Sequence, residues 1–407
     1  MKTNTARAVV FLCAFAALPH SAAAQATMDP YESARFQFGP LRLTPALQIT
    51  SLGRDSNIFN EAENPKADTT AAIGPSVQFW LRPAGTRLTG RVGAQYLYFR
   101  EYHNQRAWNT SNDGKWEVPL SRFTPFIEGS YVNSKERMGY EIDSRSRRRD
   151  AAVGVGTSFR LTGSSSLIVS FRRFDAKYDE TESLEALQLA RALNRREDRT
   201  KAELRYAITP LTTFVVEGEA GRDRFTKTNL RDADTFKLMS GFQIKPLALV
   251  SGRVYLGYRQ FQPLTATLPD YRGFAAKVDA AYVSRGSTRF QVKVDRDVQY
   301  SFEPLRPYYT LMDAGLEVTQ RIGPTWEVLA RGSHQRLNYR LIGSSEKPAN
   351  TPGDTGYVYG AGIGYRPAPA LRLGVDANDY TRKSDFVGRR EYEGLRVFGS
   401  ITYGILQ

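Results

Sequence analysis

The chain has 407 residues, with 56 lysines and arginines against 42 aspartates and glutamates, for a formal charge of +14. Its only cysteine, Cys13, falls among the first two dozen residues, so the remainder can build neither a disulfide framework nor a cysteine metal site. Beyond that point no stretch approaches the ~20 consecutive apolar residues a spanning helix needs, so any membrane-embedded form must be a closed barrel.

Residues 1–24 set Lys2 and Arg7 ahead of the apolar run Val9–Leu18 and then Ala22, Ala23 and Ala24. That order reads as a secretory signal peptide cut before Gln25. Removing its two cations lowers the charge from +14 to about +12 (14 less 2). Residues 25–40 read as a periplasmic N-terminal segment, and 41–407 as one continuous domain without a composition shift.

From residue 41 onward, apolar and polar residues alternate with period two, which places successive side chains on opposite faces of a strand. In residues 289–300, Phe290, Val292, Val294, Val298 and Tyr300 share one face, while Arg289, Gln291, Lys293, Asp295, Asp297 and Gln299 share the other. The pattern predicts strands near 41–52, 70–83, 86–101, 110–120, 122–134, 149–161, 165–178, 198–208 and 212–225. It continues near 233–245, 248–262, 271–284, 287–300, 306–321, 325–340, 355–366, 370–382 and 390–406. These eighteen strands are joined alternately by eight short connectors rich in Pro, Gly or Ser and nine long ones. The expected fold is all-β: a transmembrane antiparallel up-and-down β-barrel with short periplasmic turns and long extracellular loops. The count falls to sixteen if the segment 110–120 does not pair.

A charged side chain facing lipid at the midplane costs roughly 2–4 kcal/mol, so the apolar face points outward and the lumen is polar. Tyr98, Tyr131, Tyr206, Tyr258, Tyr282, Tyr308, Tyr357, Tyr359, Tyr365 and Tyr403 fall on the outward face near strand ends and read as aromatic girdles. The inward set includes Arg87, Arg91, Arg205, Arg253, Arg259, Arg289, Lys293, Arg331, Arg372 and Arg396 as candidate anion-facing groups. Glu217, Glu219, Asp295, Asp297, Asp313 and Glu317 join them as inward acids. Cations in excess favour anions in the lumen; the competing expectation is that opposite charges pair across strands and merely fill it.

Three local features stand apart. Leu184, Leu187, Ala190 and Leu193 have helical spacing, and Asp179 with Glu182 resembles a capping box. A short loop helix is expected around 180–197, capping the outer rim in preference to folding inward. The run Arg145, Arg147, Arg148, Arg149 reads either as a solvated loop base or as a lure for lipid phosphates. His103 and His334 are the histidines beyond residue 24, and no nucleophile, zinc or phosphate-loop motif accompanies them. No catalytic residue, metal or cofactor is expected, nor a nucleic-acid partner.

The first predicted strand closes in GRDSNIF, Gly53–Phe59, with Asp55, Ser56 and Asn57 at its end. The strands AAIGPSVQFWLRP and TRLTGRVGAQYLYFREY follow. Over residues 41–102 this resembles the putative β-barrel porin family of exported bacterial outer-membrane proteins, some associated with exopolysaccharide export or biosynthesis. The resemblance implies an outer-membrane barrel with no catalytic motif to carry over. The expected function is a porin-like channel for anionic or saccharide solutes, linked to surface polysaccharide export. The alternatives are a plugged docking barrel that supports polysaccharide secretion and, more weakly, a saccharide-modifying enzyme using His334 or the Asp295 and Asp297 pair. Expected partners are outer-membrane lipids and lipopolysaccharide, polysaccharide or small anions, and the barrel-assembly machinery. The terminus that this machinery would read ends in Gln407 in place of the usual aromatic residue.

Overall fold

The computed structural model describes residues 29, 31–137, 139, 141–246, 248–343, 352–386 and 391–404. The expected signal peptide and Gln407 lie outside them. A short strand, β1 (Phe36–Phe38), precedes the wall. The first wall strands are β2 (Leu41–Asp55), β3 (Asp68–Leu81), β4 (Arg87–Phe99), β5 (Ala107–Glu117), β6 (Phe123–Arg137), β7 (Arg145–Arg160) and β8 (Ser165–Tyr178). A loop then carries β9 (Ser183–Leu184), β10 (Leu187–Gln188) and the helix α1 (Leu189–Leu193). The wall resumes with β11 (Arg195–Ala207), β12 (Thr212–Phe225), β13 (Ala233–Ile244), β14 (Val250–Pro263), β15 (Tyr271–Ser284) and β16 (Thr288–Tyr300). It ends with β17 (Tyr308–Ile322), β18 (Trp326–Arg340), β19 (Gly353–Ala368), β20 (Leu371–Ser384) and β21 (Tyr392–Tyr403).

Every wall strand pairs antiparallel with its neighbours, and β2 pairs with β21, which closes a ring of eighteen strands. The doubtful segment is β5, which pairs with both β4 and β6 and so settles the count against sixteen. Closure leaves no open edge, the condition a sheet must meet in lipid.

The alternation sorts faces as the energetics require. Leu204, Phe236, Val292 and Val375 are 45%, 41%, 41% and 53% exposed on the outer surface, where lipid would cover them. Tyr206, Tyr258, Tyr282, Tyr359 and Tyr403 are exposed on the same face, joined by Trp108, Trp116 and Trp326. Tyr308 departs from the expected girdle: it is buried with Phe261, Tyr271 and Val298, and Tyr300 packs against the same cluster. Both lie where β16 and β17 run into their long loop, and the outer ends of β13, β14 and β15 cover them through Ala233, Phe261 and Tyr271.

Two features shape the closing seam. A bulge shifts the register of β2 between Ile49 and Leu52 against β21, with Ser51 at a φ of 54°. The extra residue inverts the alternation, so Gln48 lines the lumen below it while Asp55 turns inward and is buried above it. At the other end β21 pairs with β2 only from Tyr403 opposite Leu47, and β1 covers the remaining edge by pairing with Leu41–Leu43.

Candidate functional site

The outer mouth is organised around Asp55. Its carboxylate accepts hydrogen bonds from Tyr380 Oη at 3.1 Å, Arg396 Nε at 3.1 Å and the Asn57 backbone N–H at 3.0 Å. The Arg137 guanidinium stands 3.8 Å away. Ser56 ties β2 to β21 twice: its N–H donates to the Leu395 carbonyl, and its Oγ accepts from the Leu395 N–H. Asn57 Nδ2 donates to the carbonyls of Glu61 and Glu393. Asp55, Ser56 and Asn57 therefore fasten the outer end of the closing seam and the root of the first loop. Arg396, expected as a lumen cation, belongs to this fastening.

The long loops do not stand clear of the mouth. Residues 141–143 lie between β6 and β7, the fifth and sixth wall strands, while Ser301 and Phe302 follow the thirteenth, nearly opposite in the ring of eighteen. The Glu141 carboxylate spans this distance, accepting from Ser301 Oγ at 2.6 Å and the Phe302 N–H at 3.1 Å. Arg382 on β20 donates to Asp143 at 2.7 Å and to Asp354 at 2.5 Å. Arg231, from the loop after β12, donates to the carbonyls of Ser301, Phe302 and Glu303. Burial pulls its guanidinium pKa down to about 10.

The helix α1 is shorter than the spacing predicts, and Glu182 accepts from the Arg147 N–H instead of closing a capping box. Leu184, Leu189 and Leu193 pack against Ile142 and Phe302 from loops elsewhere in the ring. This loop leans across the mouth and does more than cap its own rim, because its apolar side finds cover against Ile142 and Phe302 of other loops as well as against Tyr178 and Phe225 at nearby strand ends. The arginine run also divides: Arg145 turns in to donate to the Ile58 carbonyl, and Arg148 pairs with Asp150.

Below the mouth, the lumen face carries two unlike walls. A cavity of about 790 Å³ lined by β3–β12 residues has six cations, Arg91 and Arg205 among them, against five acids. Many of these neutralise each other: Lys201 bridges Glu203 and Glu217 at 2.6 and 2.7 Å, and Arg205 bonds Glu203. Arg199 engages Glu197, Glu219 and Asp223. A second cavity, about 1050 Å³ between β13 and β20, has Lys245, Arg253, Arg289, Arg321, Arg331, Arg366 and Arg372 against Asp279, Glu317, Glu327 and Asp376. Arg366 and Arg372 share Glu327 at 2.9 and 2.5 Å, and Arg331 reaches Asp376 at 4.0 Å. Among the described residues, no ion pair within 4.0 Å engages Arg253, Arg289 or Arg321.

Glycine keeps this second wall open. At Gly360, Gly362 and Gly364 of β19, a Cβ would meet the side chains of Asn378, Arg331, Asp376, Glu327 and Arg372. Without it those chains lie flat along the strand and leave the volume to solvent. Lys293 and Arg253 each stand opposite Asp279 on neighbouring strands. Asp297 is held by Lys237 at 3.1 Å and Arg259 at 3.3 Å, and Asp295 faces Asp313 across β16 and β17. Arg87 stands opposite Glu117 at the periplasmic end.

At that end Arg42 and Arg82 stack on Tyr31, which packs with Ala34 against Trp80 on the lumen side. The Arg82 guanidinium holds the Asp29 carboxyl below the usual carboxylate range. The His334 ring meets that of Tyr357 at 5.1 Å, tilted by 50°, on the outward face, so it shares no site with the inward Asp295 and Asp297. His103 lies in the loop after β4, where its Nε2 meets the Arg100 carbonyl. The bulge-directed Asp55 and the loop acid Glu141 are mouth residues that alternation could not point to.

This architecture is similar to that of solved bacterial outer-membrane channels. OccK2 (OpdF) from Pseudomonas aeruginosa superposes with a TM-score of 0.50 at 11% identity, covering 90% of this chain and 98% of that one. The same channel in complex with glucuronate gives a TM-score of 0.50 at 11% identity, with 89% and 98% covered. OpdK from Pseudomonas aeruginosa gives 0.47 at 10% identity, with 89% and 98% covered. At such identities the likeness concerns the fold. No curated protein matches the chain by sequence. The family model of putative beta-barrel porin 2 matches residues 29–403, from the N-terminal segment through the closing strand, and the chain belongs to that family of outer-membrane barrels.

Proposed function

We propose that the protein is a channel for small anionic solutes, carboxylates and acidic saccharides foremost, narrowed at its outer mouth by its own loops. The observation that carries this reading is the second lumen cavity, with seven cations against four acids and three arginines that join no ion pair among the described residues. Confined charge of one sign raises the local concentration of counter-ions and steers them inward. The glucuronate bound by the OccK2 channel belongs to the same solute class, but the cavity's cations and not that likeness support the assignment. A role with surface polysaccharide falls at the acidic-saccharide end of this solute range. The reading includes export behind a signal cut before Gln25 and insertion by the barrel-assembly machinery. Reversal potentials in planar bilayers test it: anion preference is expected, and replacing Arg253, Arg289 and Arg321 with glutamine should move the preference toward cations.

A second reading, a barrel plugged for docking, is favoured by the Glu141 and Arg231 contacts that bridge distant loops. Conductance in the intact protein separates the two. A plugged barrel conducts only after those contacts are removed.

A further inference from the structure

Above the lipid belt, at the long-loop end of β6, β7, β8, β11 and β12, the outward face turns from apolar to basic. On β8 the outward residues run Leu167, Val169 and Phe171, then Arg173, Asp175 and Lys177. On β7 they run Val155, Val153 and Ala151, then Arg149 and Arg147. Arg149, Lys177, Arg173, Arg196 and Arg222 are exposed there.

The registers set like charges directly opposite one another on this face. Lys135 stands opposite Arg147, Arg149 opposite Lys177, and Arg196 opposite Arg224. Like charges so placed destabilise a sheet unless something neutralises them. Part of the charge is met locally: Arg173 holds Asp198 at 2.7 Å, Arg196 holds Asp175 at 3.2 Å, and Arg224 holds Asp234 at 2.7 Å. Among the described residues, the charged side chains of Lys135, Arg147, Arg149, Lys177 and Arg222 form no ion pair within 4.0 Å, although Lys135 donates to the Asn104 carbonyl and Arg147 to Asn133 Oδ1. Arg147 donates to the carbonyl of Trp108, itself 60% exposed, and Tyr131 is exposed just below. Aromatic rings beneath and cations without a counter-charge above match a molecule with acyl chains and phosphate groups.

We propose that this face binds the phosphorylated headgroup of an outer-leaflet glycolipid, with Arg149 and Lys177 gripping one phosphate between them. The lipid's anionic groups relieve the opposed cations that the strand registers impose, and its acyl chains lie along Val153, Val169 and Phe171. This lipid site faces away from the lumen and does not depend on conduction.

The test uses the purified full-length barrel in detergent, bisphosphorylated lipid A, dephosphorylated lipid A with the same acyl chains, and inorganic phosphate. Wild-type protein should retain the bisphosphorylated lipid at least about tenfold more tightly than the dephosphorylated one. The variant Arg147→Gln/Arg149→Gln/Lys177→Gln/Arg222→Gln should lose that preference while keeping heat-modifiable gel mobility and unchanged conductance. Should the fourfold variant not fold, Arg149→Gln/Lys177→Gln alone must weaken retention. Equal retention of both lipids by the wild type, undiminished retention by a folded variant, or inorganic phosphate binding as tightly as lipid A would overturn the proposal.

Discussion

Asp55 is buried to 1% exposure, yet it meets two guanidiniums, a phenol and a backbone N–H. Removing such a carboxylate leaves cations facing one another without a counter-charge, which costs about 3 kcal/mol. Asp55→Ala should therefore destabilise the folded barrel by about that amount, read as the shift in urea unfolding in lipid vesicles. Ser56→Ala, which loses one neutral hydrogen bond to the Leu395 N–H, should cost about 1 kcal/mol. The motif was legible in the sequence as a likeness without a mechanism. The bulge at Ser51 supplies the mechanism, because without its inversion Asp55 would point at lipid.

The strands themselves were the most legible elements, since each strand's alternation is local and its connector is marked by turn residues. Arg285 and Gly286, for example, take φ values of 50° and 70° in the turn between β15 and β16. The loops were least legible, because their conformations depend on partners far along the chain: Glu141 bonds Ser301 across 160 residues. Tyr308 is buried and Tyr300 partly buried because their partners, Phe261 and Asp223, lie on strands that the local alternation does not connect to them. Glu141→Ala combined with Arg231→Ala unties the loops that meet over the mouth, and single-channel conductance should rise with the barrel intact. Gly362→Val tests the opposite wall. Its added carbons would collide with Asp376 and the Val375 carbonyl, so a loss of about 1–3 kcal/mol is expected in the same unfolding assay.

At the scale of the molecule, two expectations about lumen charge meet on different walls. On β11 and β12 opposite charges pair across strands and fill space, as cross-strand energetics favour. Between β13 and β20 a glycine-lined strand and an excess of arginines leave positive charge facing open volume. Counting inward residues in the sequence could not separate these walls, because pairing depends on register and on which side chains lie flat. Net charge alone would have predicted a uniformly basic interior. The measurement that bears most directly on the account is the zero-current potential of the purified barrel in a planar bilayer under a potassium chloride gradient. A potential of the sign set by chloride permeation is expected, collapsing when Arg253, Arg289 and Arg321 become glutamine; a cation-selective potential, or one indifferent to those three replacements, would rule out an anion channel governed by these arginines.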